Sequence, residues 1–172
     1  MPSSADATYS RARDVDTLPE SVREIYDDWE ERGLPGTVER VALAYTIERV
    51  RRKIDSSIES ALKAVGLTRS RFELLMHLSR SESGSYQLSH LSDLLVLHPA
   101  SVTSLVDYSE KLGFLERVRD SSDRRVVLAH ITPKGTKAVR AGLKALAEVD
   151  YGVADVPPDE AESLTRHLLE VL

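Results

Sequence analysis

The sequence predicts a mainly α-helical fold with a small β wing, and three observations support this class. Apolar residues recur every three or four positions over most of the chain, as amphipathic helices require. Segment 114–119 alternates as a strand does, segment 126–131 is rich in β-branched residues, and the turn-forming run 120–123 lies between them. The length of 172 residues suits one domain extended by helical arms.

Composition excludes several classes of protein. The chain contains no cysteine, so a disulfide framework, a thiolate zinc site and a cysteine redox switch are ruled out. No apolar run reaches the length of a membrane helix and the first residues lack a secretory signal pattern, so we expect a cytoplasmic protein without a membrane partner. The net charge is −5, yet basic residues outnumber acidic ones between 34 and 140. That distribution is compatible with a surface that faces phosphates and equally with ordinary surface scatter.

The first part of the chain predicts a tail and two helices. Residues 1–18 are polar without a clean period and are expected to form a flexible tail. Pro19 opens a short helix to Glu31 whose apolar side chains share one face. A long helix with a continuous apolar stripe is expected from about Thr37 to Val65. At ~1.5 Å per residue it would span roughly 40 Å, too long for one small core to cover, so we expect a second long helix against it.

The middle of the chain predicts a series of short elements. Thr68 is the expected N-cap of a helix whose inward residues are Phe72, Leu75, Met76 and Leu78 or Ser79, and residues 86–88 are a candidate edge strand. Ser89 is the expected cap of a brief helix to about Leu97, and Pro99 starts a further helix that ends at Gly113. Two short helices, a tight turn and a hairpin outline a winged helix-turn-helix. This arrangement suits DNA, because the second helix fits a major groove ~12 Å wide while the hairpin reaches the adjoining minor groove.

The last part of the chain predicts two more helices. Pro133 starts one after Thr132, continuing to about Tyr151, and Pro157 opens another that runs to Leu172. Their apolar stripes are too large for a lone chain to cover, so we expect a homodimer. The predicted domains are a flexible tail (1–18), N-terminal helices for dimerisation and ligand binding (19–66), a winged-helix DNA-binding domain (67–135) and C-terminal dimerisation helices (136–172).

The segment after the second short helix carries a specific motif. Asp123, Arg125, Ile131-Thr132 and Gly135 match the pattern Asp-x-Arg, five residues, Leu/Ile-Thr, two residues, Gly. This pattern resembles the wing of the MarR family of bacterial transcription regulators, and segments 66–75 and 102–117 are also similar to that family. The resemblance covers about 35–172 in outline. It implies a winged helix-turn-helix homodimer, cytoplasmic and nucleoid-associated, that binds a pseudo-palindromic operator on double-stranded DNA as a ligand-responsive repressor.

The predicted DNA contacts lie on the wing and on the recognition helix. Arg124 and Arg125 project from a turn, where a guanidinium can enter a narrow minor groove. The resemblance implies that Asp123 braces Arg125 through a bidentate pair. The alternative is a hairpin turn that is merely stabilised by a surface ion pair worth ~0–1 kcal/mol. The complete motif favours contact with DNA. The outward residues of the recognition helix are Ala100, Ser101, Thr103, Ser104, Asp107, Tyr108 and Lys111, with His98 at its N-terminal edge as a candidate phosphate donor.

The recognition helix departs from the family pattern. Many relatives carry arginine where Ser104 or Tyr108 stands, and the outward face of this helix carries one cation, Lys111. A solvated helix face explains each of these residues equally well. We therefore expect the wing to supply a larger share of the affinity for DNA than is usual in the family.

The resemblance also implies an effector site. MarR-like regulators bind small aromatic or anionic molecules in a cleft beside the DNA-binding lobe, and a branch similar to the urate-responsive regulators adds an N-terminal helix with a tryptophan. Trp29, Glu73 and Arg117 occupy comparable positions, which predicts a pocket for a small organic anion or aromatic effector and no other cofactor. A tryptophan on an amphipathic helix is more often part of a core.

Two alternatives come from other classes. The five histidines are scattered, so we expect no metal site, although Glu73 and His77 at i, i+4 could supply half of one. Two alternatives to a DNA-binding regulator stay open. One is a winged-helix adaptor for protein partners, and the other is a metal-responsive regulator without strong DNA specificity. Gly-x-Ser-x-Gly, phosphate-loop and dinucleotide fingerprints are absent, so we expect no enzyme activity and no catalytic residues.

Overall fold

The computed structural model describes residues 20–33, 38–120, 123 and 125–171. The chain divides into two compact units, residues 1–53 and residues 54–172. The predicted tail, 1–18, lies outside the described residues.

The N-terminal unit contains a short helix and the start of a long one. Helix α1 (Glu20–Glu31) confirms the prediction, with Val22 buried and Ile25 and Trp29 partly buried. Helix α2 (Val38–Ala64) begins in this unit and ends in the next. Its first part leaves several large apolar side chains at least 43% exposed, which are Leu43, Tyr45, Ile47 and Val50. Such a surface needs a partner to exclude water.

The C-terminal unit has the predicted order of helix, strand, two helices and hairpin, followed by two more helices. A short 3₁₀ turn, Asp150–Gly152, separates the last two. The elements are α3 (Arg69–Arg80), β1 (Ser85–Gln87), α4 (Leu88–Leu95), α5 (Pro99–Lys111), β2 (Leu115–Arg119), β3 (Val127–Ile131), α6 (Pro133–Glu148) and α7 (Pro158–Leu169).

The three strands form an antiparallel sheet in the order β1-β3-β2. Ala129, at the centre of β3, faces Tyr86 of β1 on one side and Arg117 of β2 on the other. It is fully buried, which its small side chain permits. The predicted edge strand is therefore confirmed, because β1 lies at one side of the sheet.

The core of this unit is formed by α3, α4, α5, α6, the end of α2 and the sheet. Thr68 caps α3 as predicted, since its hydroxyl accepts a hydrogen bond from the Arg71 amide at 3.3 Å. Phe72, Leu75 and Leu78 are buried as expected. Ser79 is exposed, and Leu74 is a core residue that the periodicity did not predict. The side chains with almost no exposure are Leu62, Leu74, Leu75, Leu78, Leu91, Val102, Val106, Ser109 and Leu115.

The end of the hairpin is joined to α6 by a close contact. The Thr132 hydroxyl accepts a hydrogen bond from the Gly135 amide at 3.1 Å and donates one to the Gly113 carbonyl at 2.7 Å. A Cβ atom on Gly135 would lie 2.0 Å from the carbonyl oxygen of Phe114, which no side chain can tolerate. These contacts explain the Ile-Thr-x-x-Gly part of the motif physically, because the threonine caps α6 while the glycine lets it approach the backbone of the wing.

Several predicted boundaries are wrong. Ser89 does not cap α4, because the chain passes directly from β1 into a helix that starts at Leu88, and the capping position is Gln87 without a side-chain bond. That helix ends at Leu95 rather than Leu97. Helix α6 ends at Glu148 rather than Tyr151, because Asp150 and Tyr151 adopt positive φ angles of 43° and 53°.

Two other boundaries lie close to the prediction. The long helix ends at Ala64, one residue before the predicted Val65, and Gly66 follows with a φ of 75°. The last helix, α7, ends at Leu169, and the predicted end at Leu172 lies outside the described residues.

The turn between α4 and α5 contains a strained residue that provides a test of this geometry. Val96 has φ 52° and ψ 45° and is 88% exposed. A left-handed conformation costs an L-residue ~1–2 kcal/mol, and a β-branched side chain suffers most. We expect Val96→Gly to raise the free energy of unfolding by roughly 0.5–1 kcal/mol after the greater freedom of glycine in the unfolded chain is subtracted.

Urea denaturation of Val96→Gly and of the control Val96→Ala, which keeps a Cβ atom, measures the effect. The alanine variant should gain less than the glycine variant. A glycine variant less stable than the original chain would contradict the left-handed turn.

Candidate DNA-binding surface

Helices α4 and α5 with their connecting turn form the helix-turn-helix. Val102, Val106 and Ser109 bury one face of α5 in the core, where the Ser109 hydroxyl donates to the Leu105 carbonyl at 2.7 Å. The opposite face is exposed as predicted, and its residues are Ala100, Ser101, Thr103, Ser104, Asp107, Tyr108 and Lys111. Their exposure makes them available to a partner, while their individual roles in binding DNA stay predictions.

His98 is the N-cap of α5. Its Nδ1 accepts a hydrogen bond from the Ala100 amide at 3.3 Å, and Pro99 follows in the first helical turn. In the neutral ring the proton is then on Nε2, which is left as a donor. The predicted hydrogen bond to a phosphate is compatible with this geometry, since capping uses the other nitrogen.

The two hydroxyls in the first turns of α5 donate to their own helix. Thr103 Oγ1 donates to the Pro99 carbonyl and Ser104 Oγ donates to the Ala100 carbonyl, each at 3.0 Å. Both hydroxyls then present lone pairs rather than protons to the surroundings. In this conformation they suit the amino groups on base edges better than phosphate oxygens.

A network of ion pairs joins α5 to β2. The two ends of the Arg117 guanidinium donate to Asp107 and to Glu110, each at 2.5 Å. The second carboxylate oxygen of Glu110 accepts a hydrogen bond from the Arg117 amide at 2.9 Å. Burial lowers the pKa of Arg117, but the bonds to Glu110 and Asp107 more than offset this and raise it above its usual value. The recognition helix and the first wing strand are thus held together by charge-assisted bonds.

This network changes the interpretation of two predicted site residues. The carboxylate of Asp107, a predicted DNA contact, is paired with Arg117 at the protein surface. Arg117, a predicted effector contact, holds the wing against α5. Glu110, which accepts two of the three bonds, was not among the residues predicted from the sequence. The sequence gives little indication of this contact, because Glu110 belongs to α5 and Arg117 to β2.

The turn of the wing is organised by two aspartates. The Asp120 carboxylate accepts a hydrogen bond from the Asp123 amide at 3.1 Å, and Asp123 accepts one from the Arg125 amide at 2.9 Å. The predicted bidentate pair between the Asp123 and Arg125 side chains is therefore wrong, because the carboxylate binds the backbone instead. Arg125 is exposed and forms no ion pair with the residues that the structure describes. Arg124 lies outside the described residues.

The other predicted effector residues are Glu73 and Trp29. Glu73 accepts a hydrogen bond from Arg69 at 2.9 Å, and the same Arg69 also pairs with Asp55. Trp29 belongs to the N-terminal unit and is partly buried. The predicted pocket stays a prediction.

The described part of the chain contains no cluster of three or more His, Asp or Glu side chains arranged for a metal ion, so Glu73 and His77 belong to no such group there. Within the same residues, no helix combines the length and the apolar character needed to cross a membrane.

The fold and this surface define a winged helix-turn-helix protein. The MarR family description matches residues 67–127. The transcriptional repressor MprA of Escherichia coli (strain K12) is 32% identical over 115 residues, which are 64% of this chain and 65% of that protein. The regulator MhqR of Bacillus subtilis (strain 168) is 29% identical over 139 residues, covering 78% of this chain and 92% of the relative. The match to MprA thus spans less than two thirds of that protein.

Solved structures agree with this assignment. A MarR family transcriptional regulator from Streptomyces coelicolor, Sco5413, has a TM-score of 0.68 and 28% identity, covering 78% of this chain and 93% of that chain. A mutant of MarR from E. coli in complex with operator DNA has a TM-score of 0.66 and 21% identity, covering 80% and 98%. At 21% identity, the similarity to this second structure concerns the fold alone. Residues 67–127 thus match the MarR family, and the chain is similar in sequence and fold to regulators of that family.

The network between α5 and β2 leads to a stability prediction. Replacing Arg117 by Met removes the two charge-assisted bonds of the guanidinium, while the backbone amide can still donate to Glu110 and the apolar stem keeps a similar length. We expect the free energy of unfolding to fall by roughly 1–2 kcal/mol. Amide exchange at the start of β2 should become faster, because the wing loses its attachment to α5.

The matched control is Lys144→Met, since Lys144 forms an exposed pair with Glu148 at 3.9 Å. Such a pair is worth ~0–1 kcal/mol. Equal losses in the two variants, measured by urea denaturation, would show that the Arg117 network does not hold the wing.

Proposed function

We propose that the chain is a transcriptional regulator that binds double-stranded DNA as a homodimer and represses until a small effector is bound. The observation that carries this proposal is the surface formed by α5 and the wing. The exposed polar face of α5 lies beside a hairpin whose Arg125 guanidinium has no ion-pair partner among the described residues. Such a helix and hairpin can occupy adjoining grooves of one duplex.

The family relationship supports the same proposal. The relatives MprA and MhqR are a transcriptional repressor and a transcriptional regulator, and a fold neighbour binds operator DNA. The adaptor alternative lacks a corresponding observation, because the exposed face of α5 is polar rather than apolar. The proposed effector is a small organic anion or aromatic molecule.

Selection from a random duplex library with the full chain tests the function. We expect an enriched sequence with two-fold symmetry and half-sites about one turn, ~34–36 Å, apart. In mobility-shift titrations the affinity for this duplex should fall steeply with salt, because each neutralised phosphate releases counterions. Binding that is equal for the enriched and the scrambled duplex would contradict a sequence-specific regulator.

The wing arginines give a more specific prediction. Arg124→Ala and Arg125→Ala should each weaken binding to the selected duplex by about tenfold or more, since each removes a groove contact worth ~1–3 kcal/mol. The control Lys144→Ala changes an exposed cation on α6, away from the proposed surface. The same loss of affinity in all three variants would mean that only overall charge matters.

The homodimer is supported by α7, which has no buried residue in the described chain. Leu164, Leu168 and Leu169 are 48–62% exposed on it. A partner chain would remove this apolar surface from water. We expect Leu168→Asp to shift the protein from dimer to monomer in analytical ultracentrifugation.

The control for this change is Ser163→Asp, because it adds the same charge to the other side of α7. That variant should sediment as the unmodified protein does. A Leu168→Asp variant that stays dimeric would place the dimer contact on another surface.

A further inference from the structure

Arg71, in the first turn of α3, is a buried cation without a counter-ion. The residue is 9% exposed, and it forms no ion pair with any residue that the structure describes. Its Nε is shielded from solvent without a hydrogen-bond partner there, while its Nη1 contacts the Gly66 carbonyl only at 3.5 Å. Buried charges in proteins are normally paired, because an unpaired one loses its hydration without compensation. The described part of the chain offers this guanidinium no carboxylate in return.

The neighbouring Arg69 takes the carboxylates that lie close to this turn. Arg69 pairs with Glu73 of its own helix and with Asp55 of α2. Arg71 instead lies against α5, where its Cζ is 4.8 Å from the centre of the Tyr108 ring, a cation–π distance. The ring attracts the charge but leaves the N–H donors at the edge of the guanidinium without an acceptor. The contact therefore brings an incompletely satisfied cation from α3 to the recognition helix.

Arg71 and Tyr108 line a surface pocket of about 480 Å³. Arg71 is the one charged group among its described lining residues, so nothing in that set balances the cation. Leu97 and Leu105 give the pocket apolar walls. The exposed Ser70 hydroxyl, which also lines it, makes no hydrogen bond within the described part of the chain. An occupant that fits this pocket combines a negative charge, an apolar surface and a hydrogen-bond acceptor.

The pocket shares residues with the face of α5 that the proposed function assigns to DNA. Ser101, Ser104 and Tyr108 belong both to the pocket and to that exposed face. A helix with its side chains is about 10–12 Å wide and the major groove is ~12 Å wide, so sugar–phosphate backbones pass along both flanks of a recognition helix. One flank of α5 is joined to the wing. A backbone along the Tyr108 flank would pass close to Arg71.

We propose that Arg71 binds a phosphate of the DNA backbone and that the adjoining deoxyribose lies against Leu97 and Leu105. Tyr108 is the positioning residue, because its ring holds the guanidinium at the pocket. A sugar–phosphate unit has the charge, the carbon ring and the acceptor oxygens that the pocket requires. This contact rests on the proposed function and deepens it, since it adds α3 to a surface formed by α5 and the wing. Every duplex offers such phosphates, so the contact strengthens binding without reading the sequence.

The dependence of DNA affinity on salt measures this contact. Each neutralised phosphate contributes about 0.9 to the slope of log affinity against log salt, so Arg71→Met should reduce that slope by about 1.8 in a homodimer. At low salt the variant should bind the selected and the scrambled duplex about tenfold more weakly, by a similar factor for both. Arg71→Lys keeps the charge and should keep most of the slope.

The matched control is Arg80→Met, which removes an exposed cation at the other end of α3. This variant should keep the slope of the unmodified chain. An Arg71→Met variant with an unchanged slope, or one whose slope falls no further than that of Arg80→Met, would overturn the proposal.

Neutral methylphosphonates at single positions of the selected duplex identify the phosphate. In the unmodified chain, one position in each half-site should be sensitive, and its replacement should weaken binding about tenfold. In Arg71→Met the same replacement should have no further effect, because the charge pair is already broken. If every sensitive phosphate stays equally sensitive in Arg71→Met, the guanidinium does not bind the backbone.

Variants of the ring test the positioning role of Tyr108. Tyr108→Phe keeps the ring beside Arg71 and should bind the duplex as the unmodified chain does. Tyr108→Leu should weaken binding and should add little to the loss caused by Arg71→Met in a double variant. Losses that multiply in the double variant, or a phenylalanine variant as weak as the leucine variant, would contradict action through Arg71.

A further pair of variants keeps the test decisive if Arg71→Met fails to fold. Ser70 is exposed in the first turn of α3, where a carboxylate favours the helix. Ser70→Asp places a counter-ion in the pocket of Arg71 and should weaken DNA binding about tenfold, whereas the neutral Ser70→Asn should leave it unchanged. Equal affinities of these two variants for the duplex would overturn the proposal.

Failure of this contact and failure of the proposed function give different results. A chain that selects a symmetric duplex but keeps its full salt slope in Arg71→Met is a regulator that uses other phosphate contacts. A chain that selects no duplex but loses slope in Arg71→Met has the phosphate contact without the sequence-specific function.

Discussion

The attachment of the hairpin to the helices on both of its sides is the constraint on which the rest of the surface depends. At the outgoing strand, Arg117 is bonded to Asp107 and Glu110 of α5. After the returning strand β3, Thr132 caps α6 and donates a hydrogen bond to the Gly113 carbonyl. Gly135 then allows α6 to contact the Phe114 backbone. A hairpin held at both ends keeps a fixed position relative to α5. A duplex could use helix and wing together only if that position is fixed, because a mobile wing would lose entropy on binding.

The same network resolves an apparent conflict between net charge and partner. The chain carries −5, and two carboxylates, Asp107 and Glu110, lie on the very helix that is expected to face phosphates. Both are paired with Arg117, whose single positive charge balances one of their two negative charges and so reduces the repulsion of DNA at this place. The Arg125 guanidinium has no such partner among the described residues, so the wing keeps its positive charge. The local distribution of charge, rather than its sum, therefore decides which surface can meet a phosphate backbone.

The sequence predicts the features that rest on local rules and fails where contacts join distant elements. Thr68, Thr132 and Pro99 mark helix starts because their roles depend on neighbours within three residues. The prediction that Ser89 caps α4 is wrong, because β1 leads directly into this helix at Leu88. The Asp123 prediction fails because a nearby backbone amide competes with a side chain for the same carboxylate. Periodicity cannot reveal the partners of Arg117 or the burial of Arg71, because both arise when α3, α5 and β2 pack together.

Helix α5 presents two adjoining polar stripes with different attachments. Asp107 is bonded to the wing through Arg117, whereas Ser101, Ser104 and Tyr108 line a surface pocket together with Arg71 of α3. A change at the first stripe alters the position of the wing, because Arg117 joins α5 to β2. A change at the second stripe leaves that attachment intact, because none of its residues is bonded to the wing.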